Sequence, residues 1–404
     1  PKNFSLTLIE SPNIPTVGVG EATLRTFKEF MERCGWDEWE WINEVDGIYK
    51  SGIKFEDWVE KDRIIWHPFH GLPKPTEDIT IYDIFKSSHP SPTYENFLKY
   101  VPPLYDTAIN KELVADNLDA LGYHLDAAKL ARFFIDKNNK SKRVNHILSN
   151  IKDVILDSNG YIDHLLYGES EILNCDFYID CTGFKNIISS KISGAEWIHK
   201  DNMLLGNTAI AAPVEYENPE IEMKPYTTAK CLDIGWMWMT PIQTRIGSGI
   251  VFNRNITPIE EAKKTYDSIW PNRRLKDFNI IHFEPKYNSK SWRKNVVSIG
   301  LSSGFVEPLE SSGLQFIIES ANALLGKVRK GFYTKDDQSF YNSLISNQYE
   351  ETFDFIQLHY LNSKHKSLFW EKFNELKISP SLQYRINQHK ENGFSDDMLS
   401  SQVV

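Results

Sequence analysis

The ten residues GFVEPLESSG at 304–313 hold two carboxylates, a proline and a small polar pair directly ahead of an apolar run with helical spacing. A helix beginning near Leu314 leaves its first backbone N–H groups without partners inside the helix, and together with the helix dipole these donors favour an anion. Ser312 and Gly313 stand at that end, with Glu310 three residues ahead of Gly313. The same spacing describes a plain N-cap with solvated acids, so anion site and cap both stay open here. Far upstream, SGIKFEDW at 51–58 sets Lys54 between Ile53 and Phe55. On an alternating strand Lys54 faces away from those apolar neighbours, either to solvent or into a cavity. A lysine drawn from water has a lowered pKa suited to nucleophilic or hydrogen-bonding work. HPFH at 67–70 brings two imidazoles around Phe69, with no third ligand at a metal-site spacing. Those residues read as aromatic walls for a flat substrate or as loop packing. GWMWMTP at 235–241 reads as a stacking surface or as core strand.

The elements that must position these residues follow from periodicity. FSLTLIES at 4–11 alternates as a strand and ends in Glu10, the kind of acid that meets a ribose in a dinucleotide-binding unit. A GxGxxG belongs about 20 residues before such an acid, so that first strand and turn are expected ahead of Pro1. Residues 24–50 read as helical from Leu24, Phe27, Phe30 and Met31, and residues 66–107 as a long ordered excursion. HLDAAKLARFFI at 124–135 reads as an amphipathic helix. FYIDCTGF at 177–184 ends in Thr182 and Gly183, where α/β sheets meet ligands, and NVVSIG at 295–300 ends in Gly300, which admits a close cofactor approach. Leu314, Ile317, Ile318, Ala321, Leu324, Leu325 and Val328 mark one helix face. The expected fold class is α/β: a nucleotide-binding domain interrupted by a β-rich substrate domain and followed by a helical C-terminal region, a layout that suits a flavoprotein. The nucleotide-binding parts are assigned to 1–60, 124–189 and 295–330, a substrate-pocket excursion to 61–123, the β-rich domain to 190–294 and the helical region to 331–404.

Composition narrows the class. The 404 residues are 41% hydrophobic and 13% aromatic, enough for a real core, and a net charge of −10 argues against nucleic acid as the main partner. Cys34, Cys175, Cys181 and Cys231 show no CxxC spacing, which argues against a disulfide scaffold or zinc site and for a reducing cytoplasm. No apolar run reaches membrane-span length.

Taken together, VGVGEAT (17–23), GIKFEDW (52–58), HPF (67–69), DCTGF (180–184), GWMWMTP (235–241), GLSSGFVEPLESSG (300–313) and HYLNSKHKSLFW (359–370) resemble the flavin-dependent halogenases, the tryptophan-halogenase-like family. The resemblance implies that the nucleotide-binding parts form a Rossmann-like FAD-binding domain of the flavin monooxygenase type, and that the protein is a two-component enzyme in which a separate flavin reductase supplies reduced FAD. Oxygen and a bound halide ion (chloride, bromide or iodide) then give hypohalous acid, which reaches a lysine beside a small aromatic substrate. By the match in GIKF that lysine is Lys54, either hydrogen-bonding the oxidant or forming a haloamine. By the match in PLESSG, Glu310 orients the oxidant and takes the proton the arene loses. The halide falls to Ser312 and Gly313. Flavin contacts fall to Glu10, Glu21, Ala22, Thr23, Val144, Thr182, Gly183, Gly300, Leu301, Ser311 and Leu314. His67, Phe69, Trp236 and Trp238 line the substrate side, and no metal is implied. Thr240 replaces the isoleucine of the family's WxWxIP, and Ser312 the commoner threonine. The short C-terminus implies an open pocket for indoles, phenols or other electron-rich arenes, with bromide or iodide turned over faster than chloride. A flavin-dependent aromatic monooxygenase and a degenerate binding flavoprotein are the alternatives. A homo-oligomer is left open.

Overall fold

The computed structural model describes residues 4–14, 16, 18–69, 85, 87–88, 121–141, 144–328, 333–361 and 363–392. The excursion expected at 66–107 falls largely outside them, as do His70 and the last residues of the helical region.

The chain begins with β1 (Leu6–Glu10), β2 (Glu21–Ala22), α1 (Thr26–Arg33), the one-turn helix Glu38–Trp41, β3 (Ile48–Lys50), β4 (Gly52–Glu56) and β5 (Ile64–Pro68). It continues with β6 (Gly122–Leu125), α2 (Ala127–Ser141), β7 (Val144–Leu148) and β8 (Tyr178–Asp180). The middle adds β9 (Thr208–Val214), β10 (Thr227–Leu232), β11 (Gly235–Ile242), β12 (Arg245–Phe252) and β13 (Asn279–His282). After β14 (Val296–Ser298) come α3 (Ser312–Val328) and α4 (Lys335–Tyr360).

A mixed sheet of seven strands, in the order β13-β9-β12-β11-β10-β4-β5, forms the centre. Its inner face joins Ile53, Phe55, Trp58, Trp236 and Trp238 to aromatic residues of α4 in one core. The tryptophan alternation of β11 is admitted by Gly249 on β12, where a Cβ would stand 2.1 Å from the Trp238 ring. Elsewhere β1 runs parallel to β7, and β8 runs parallel to β14. The two parallel pairs carry the nucleotide-binding character expected of the chain, since ligands meet such sheets beyond the strands' carboxyl ends.

Two local expectations change. Helix covers only part of 24–50, because Ile48–Lys50 pairs antiparallel with β6, and His124 and Leu125 end that partner strand, so the helix expected from 124 begins at Ala127. Edge-to-edge pairing overrides the helical spacing here, a tertiary choice the local pattern does not contain. The chain leaves β3 at Lys50 and enters the central sheet at Gly52, so one lysine belongs to each sheet. That junction decides which lysine meets the carboxylate.

Candidate active site

Glu310 ends the loop between β14 and α3 and is 2% exposed. His67 of β5 places Nδ1 3.1 Å from Oε1 and 3.0 Å from Oε2. His359, one residue from the end of α4, places Nε2 2.7 Å from Oε1, while its Nδ1 lies 2.8 Å from the Phe355 carbonyl. With an acceptor at each ring nitrogen, the His359 imidazole is held as a two-donor imidazolium. Burial alone would raise the Glu310 pKa, but the two imidazoles outweigh it and hold the carboxyl well below the usual range. Burial would likewise strip the proton from His359, and Glu310 reverses the direction, raising its pKa.

The lysine beside this carboxylate is Lys50. Its side chain is 0% exposed, its Nζ donates to the Ser311 hydroxyl at 2.9 Å and lies 4.5 Å from the Phe69 ring centroid. Burial lowers its pKa to about 7, against the opposing pull of Glu310. Ser311 holds φ at +59°, a left-handed conformation that turns its side chain toward Lys50 just before α3 begins.

Lys54 stands elsewhere, which corrects the expectation. Residues directly opposite on antiparallel strands share a face, and β4 and β5 align Ile53 with His67 and Lys54 with Trp66. The Ile53 and Phe55 face therefore carries the site, and the Phe55 ring lies 5.0 Å from His359. Lys54 projects from the other face and pairs with Glu56 at 2.5 Å, in a surface cluster that includes Lys230 and Asp57. Had β3 and β4 been one continuous strand, Lys50 and Lys54 would have shared a face; the break at Ser51 separates them.

α3 begins at Ser312, so the N–H groups of Gly313 and Leu314 fall within its first turn. A Cβ at Gly313 or Gly183 would meet nothing within 4 Å, and both Gly183 (φ +71°) and Gly300 (φ +70°) adopt glycine-favouring backbone. Thr182 and Gly183 follow β8, and Gly300 and Leu301 follow its neighbour β14, with the half-exposed Ile317 beside Gly300. Asp180 fixes this pair of loops by accepting from Thr182, Ile188 and Ser189. These glycine-bordered loops fit a flat, extended cofactor such as FAD.

Other expected contacts are occupied internally. Glu21 accepts from the N–H groups of Val19 and Ala127, and burial pushes its pKa up to about 7. Thr23 accepts from Tyr123 N–H at 2.9 Å and is buried, and Glu21 and Ala22 pair with β6, so these side chains and this stretch of backbone are engaged within the protein. Glu10 meets His146 at 2.9 Å beside β7, which Val144 begins. Gly20 has φ +84°, and a Cβ there would come 2.6 Å from Gly247 Cα. Gly20→Ala is accordingly expected to weaken FAD binding at least about tenfold, read by flavin-fluorescence titration; unchanged affinity would separate this loop from the cofactor.

Trp236 and Trp238 require a correction as substrate-side residues: they are 1% and 6% exposed and pack in the core behind the site. Trp238 instead points its indole N–H at the Val19 carbonyl, 3.4 Å away, bracing the loop that leads into β2. Phe69 and His67 do border the site, with Phe355 5.4 Å from His67 between ring centroids.

Lys50 has no motif of its own to mark it, His359 opens the HYLNSKHKSLFW stretch without a role being assigned by it, and Glu307 reads from sequence as loop structure. Glu307 is 2% exposed, accepts from the Tyr360 hydroxyl at 2.7 Å, and burial pushes its pKa up to about 8. Folding then keeps a proton that the unfolded chain releases from about pH 4.5, so this group lowers stability progressively as pH rises to about 8. Glu307→Gln, neutral throughout, is expected to gain melting temperature relative to the parent across that window and to level off above it. A pH-independent difference between the two would contradict the buried acid.

Comparison with known proteins agrees with this geometry. A family model described as tryptophan halogenase matches residues 1–401. The tryptophan 6-halogenase SttH of Streptomyces toxytricini is 29% identical over 416 residues, covering 96% of this chain and 79% of that protein. Tryptophan 7-halogenase RebH of Lentzea aerocolonigenes is 29% identical over 405 residues, covering 95% and 76%. Among solved structures, Xcc4156, a flavin-dependent halogenase from Xanthomonas campestris, aligns with TM-score 0.90 at 26% identity over 99% of this chain and 82% of that one.

Proposed function

The chain belongs to the tryptophan halogenase family and is a flavin-dependent halogenase of an aromatic substrate, and on that premise we propose that Lys50 and Glu310 are its reacting pair and an indole-type or phenol-type arene its substrate. The observation that carries this reading is the hydrogen bond from Lys50 to Ser311, which places a buried amine between Glu310 and the start of α3. Thr182, Gly183, Gly300, Leu301 and Leu314 would hold the flavin, and reduced FAD with oxygen supplies the oxidising equivalent that converts halide to hypohalous acid.

The chain's own groups do the rest. The Ser312 hydroxyl and the N–H groups opening α3 hold the halide through dipole and free donors. Lys50, with a pKa of about 7, has both amine and ammonium available near neutrality. The ammonium donates a hydrogen bond to the oxidant's oxygen, whereas the amine attacks the halogen, its N–halogen bond replacing the oxygen–halogen bond as hydroxide leaves and takes up the amine's proton as water. Phe69, His67 and Phe355 supply flat walls that align the arene and exclude water. Glu310 then accepts the proton released when the ring regains aromaticity. A carboxylate stabilised by two imidazoles is a weak base, but a protonated, halogenated arene is so strong an acid that a weak base in position suffices. The tryptophan halogenases among the relatives support an indole; a small aromatic substrate, a separate flavin reductase and a cytoplasmic setting complete the reading. Among the described residues no helix is long and apolar enough to cross a membrane.

The test supplies the chain with FAD, a flavin reductase, NADH and chloride, bromide or iodide in turn, across indoles and phenols, with products read by mass spectrometry. Halogenated product is expected, with bromide or iodide exceeding chloride. Hydroxylated product in place of it would favour the monooxygenase reading.

A further inference from the structure

The HPFH stretch alone offers no third metal ligand, but the fold brings two from distant parts of the chain. His67, Glu310 and His359 place one ligand atom each within 4.8 Å of one another. The same carboxylate oxygen, Oε1, stands 3.1 Å from His67 Nδ1 and 2.7 Å from His359 Nε2. We infer that this two-histidine, one-carboxylate cluster is a binding site for a first-row divalent cation of the zinc type, and that the ion inhibits halogenation by occupying the groups the reaction uses. The site rests on the cluster's geometry alone, whereas the inhibition rests on the roles proposed above for Glu310 and His67.

The geometry suits such an ion. A tetrahedral zinc with bonds of about 2.0–2.1 Å separates its ligand atoms by about 3.3 Å, so the two histidine-to-carboxylate distances of 3.1 and 2.7 Å need spread by only a few tenths of an ångström. His359 directs its Nδ1 at the Phe355 carbonyl, 2.8 Å away, which leaves Nε2 as the nitrogen facing the centre. A ligating histidine characteristically donates its second nitrogen to a carbonyl in this way, which fixes the ring orientation. Phe55 and Phe355 flank the His359 ring at 5.0 and 4.7 Å, surrounding the centre with apolar walls. His67 and His359 retain 18% and 13% side-chain exposure, so an ion has a way in and keeps a free coordination position toward the pocket. Three protein donors with an open fourth position is the arrangement of labile zinc sites rather than closed structural ones. Lys50 opposes a dication, although its amine is largely uncharged above about pH 7.

The experiment is equilibrium dialysis of the whole chain against zinc chloride at pH 8, repeated with His67→Gln and His359→Gln and with His164→Gln, which alters a half-buried histidine beside Asp163, outside the cluster. One tight ion per chain is expected for the parent and for His164→Gln, with affinity at least about a hundredfold weaker in the other two. Cobalt(II) at the same site should give the strong visible absorption of low coordination number, lost in His359→Gln. Zinc should also suppress halogenated product while reductase-driven flavin oxidation continues. No retained zinc in the parent, or equal affinity in folded His359→Gln as judged by circular dichroism, would overturn the inference. Because dialysis needs no turnover, it remains decisive even if no halogenation is found.

Discussion

Replacing Lys50 by methionine is expected to remove halogenated product by about a thousandfold or more while flavin oxidation proceeds, since one positioned donor in a dry site commonly carries factors of 10² to 10³ and this amine has no substitute. Methionine keeps the length of the side chain and its contact with Phe69, so the loss would be chemical rather than a cavity effect. Lys54→Met is the control. Its partner Glu56 is partly exposed, and ion pairs of that kind contribute about 0–1 kcal/mol, so activity should stay within about threefold. The reverse result, loss with Lys54 and retention with Lys50, would sink the assignment. The pH profile distinguishes the two modes open to Lys50. With a pKa of about 7, a reaction through the neutral amine gains rate as pH rises through that value, whereas a reaction through the ammonium loses it. Either inflection should vanish in Lys50→Met if residual turnover is measurable.

Glu310→Gln is expected to lower kcat by about 10² to 10³, because the amide takes up no proton from the arene and cannot hold His359 as a cation. Its stability signature is separate. Glu310 has a depressed pKa in the folded chain, so its contribution is present above the ordinary glutamate range and fades as pH falls. His359 has a raised pKa, so its contribution is full below the ordinary histidine value and fades as pH rises through the folded one. The pair therefore stabilises most between about pH 4.5 and 6.5. The melting-temperature deficit of Glu310→Gln should be largest there and shrink on both sides. Activity within threefold of the parent, or a deficit flat across pH, would contradict the buried pair.

The folded chain also explains why one carboxylate of GFVEPLESSG differs from the other. Glu310 faces two imidazoles and stays ionised, whereas Glu307 faces a tyrosine hydroxyl and holds its proton up to about pH 8. Three residues of loop separate opposite electrostatic settings.

Much was legible in the sequence because it depends on neighbours along the chain. The helix after SSG, the glycine-bounded strand ends at Gly183 and Gly300, the β-rich middle and the family resemblance all follow from local spacing and motif order. The anion-favouring start of α3 is of the same kind, since it needs only a helix and its first residues. The choice between Lys50 and Lys54 could not be read that way. Alternation sets Lys54 opposite Ile53 and Phe55, but which face of β4 meets the site depends on His67 pairing across the sheet with Ile53. Lys50 reaches Ser311 because the chain changes sheets at Ser51, and His359 reaches Glu310 because α4 is long enough to return over β4 and β5. Local pattern fixed the elements and the ends that attract ligands; only the packing of distant segments decided which lysine and which histidines share one buried carboxylate, because burial and charge pairing are properties of the assembled core.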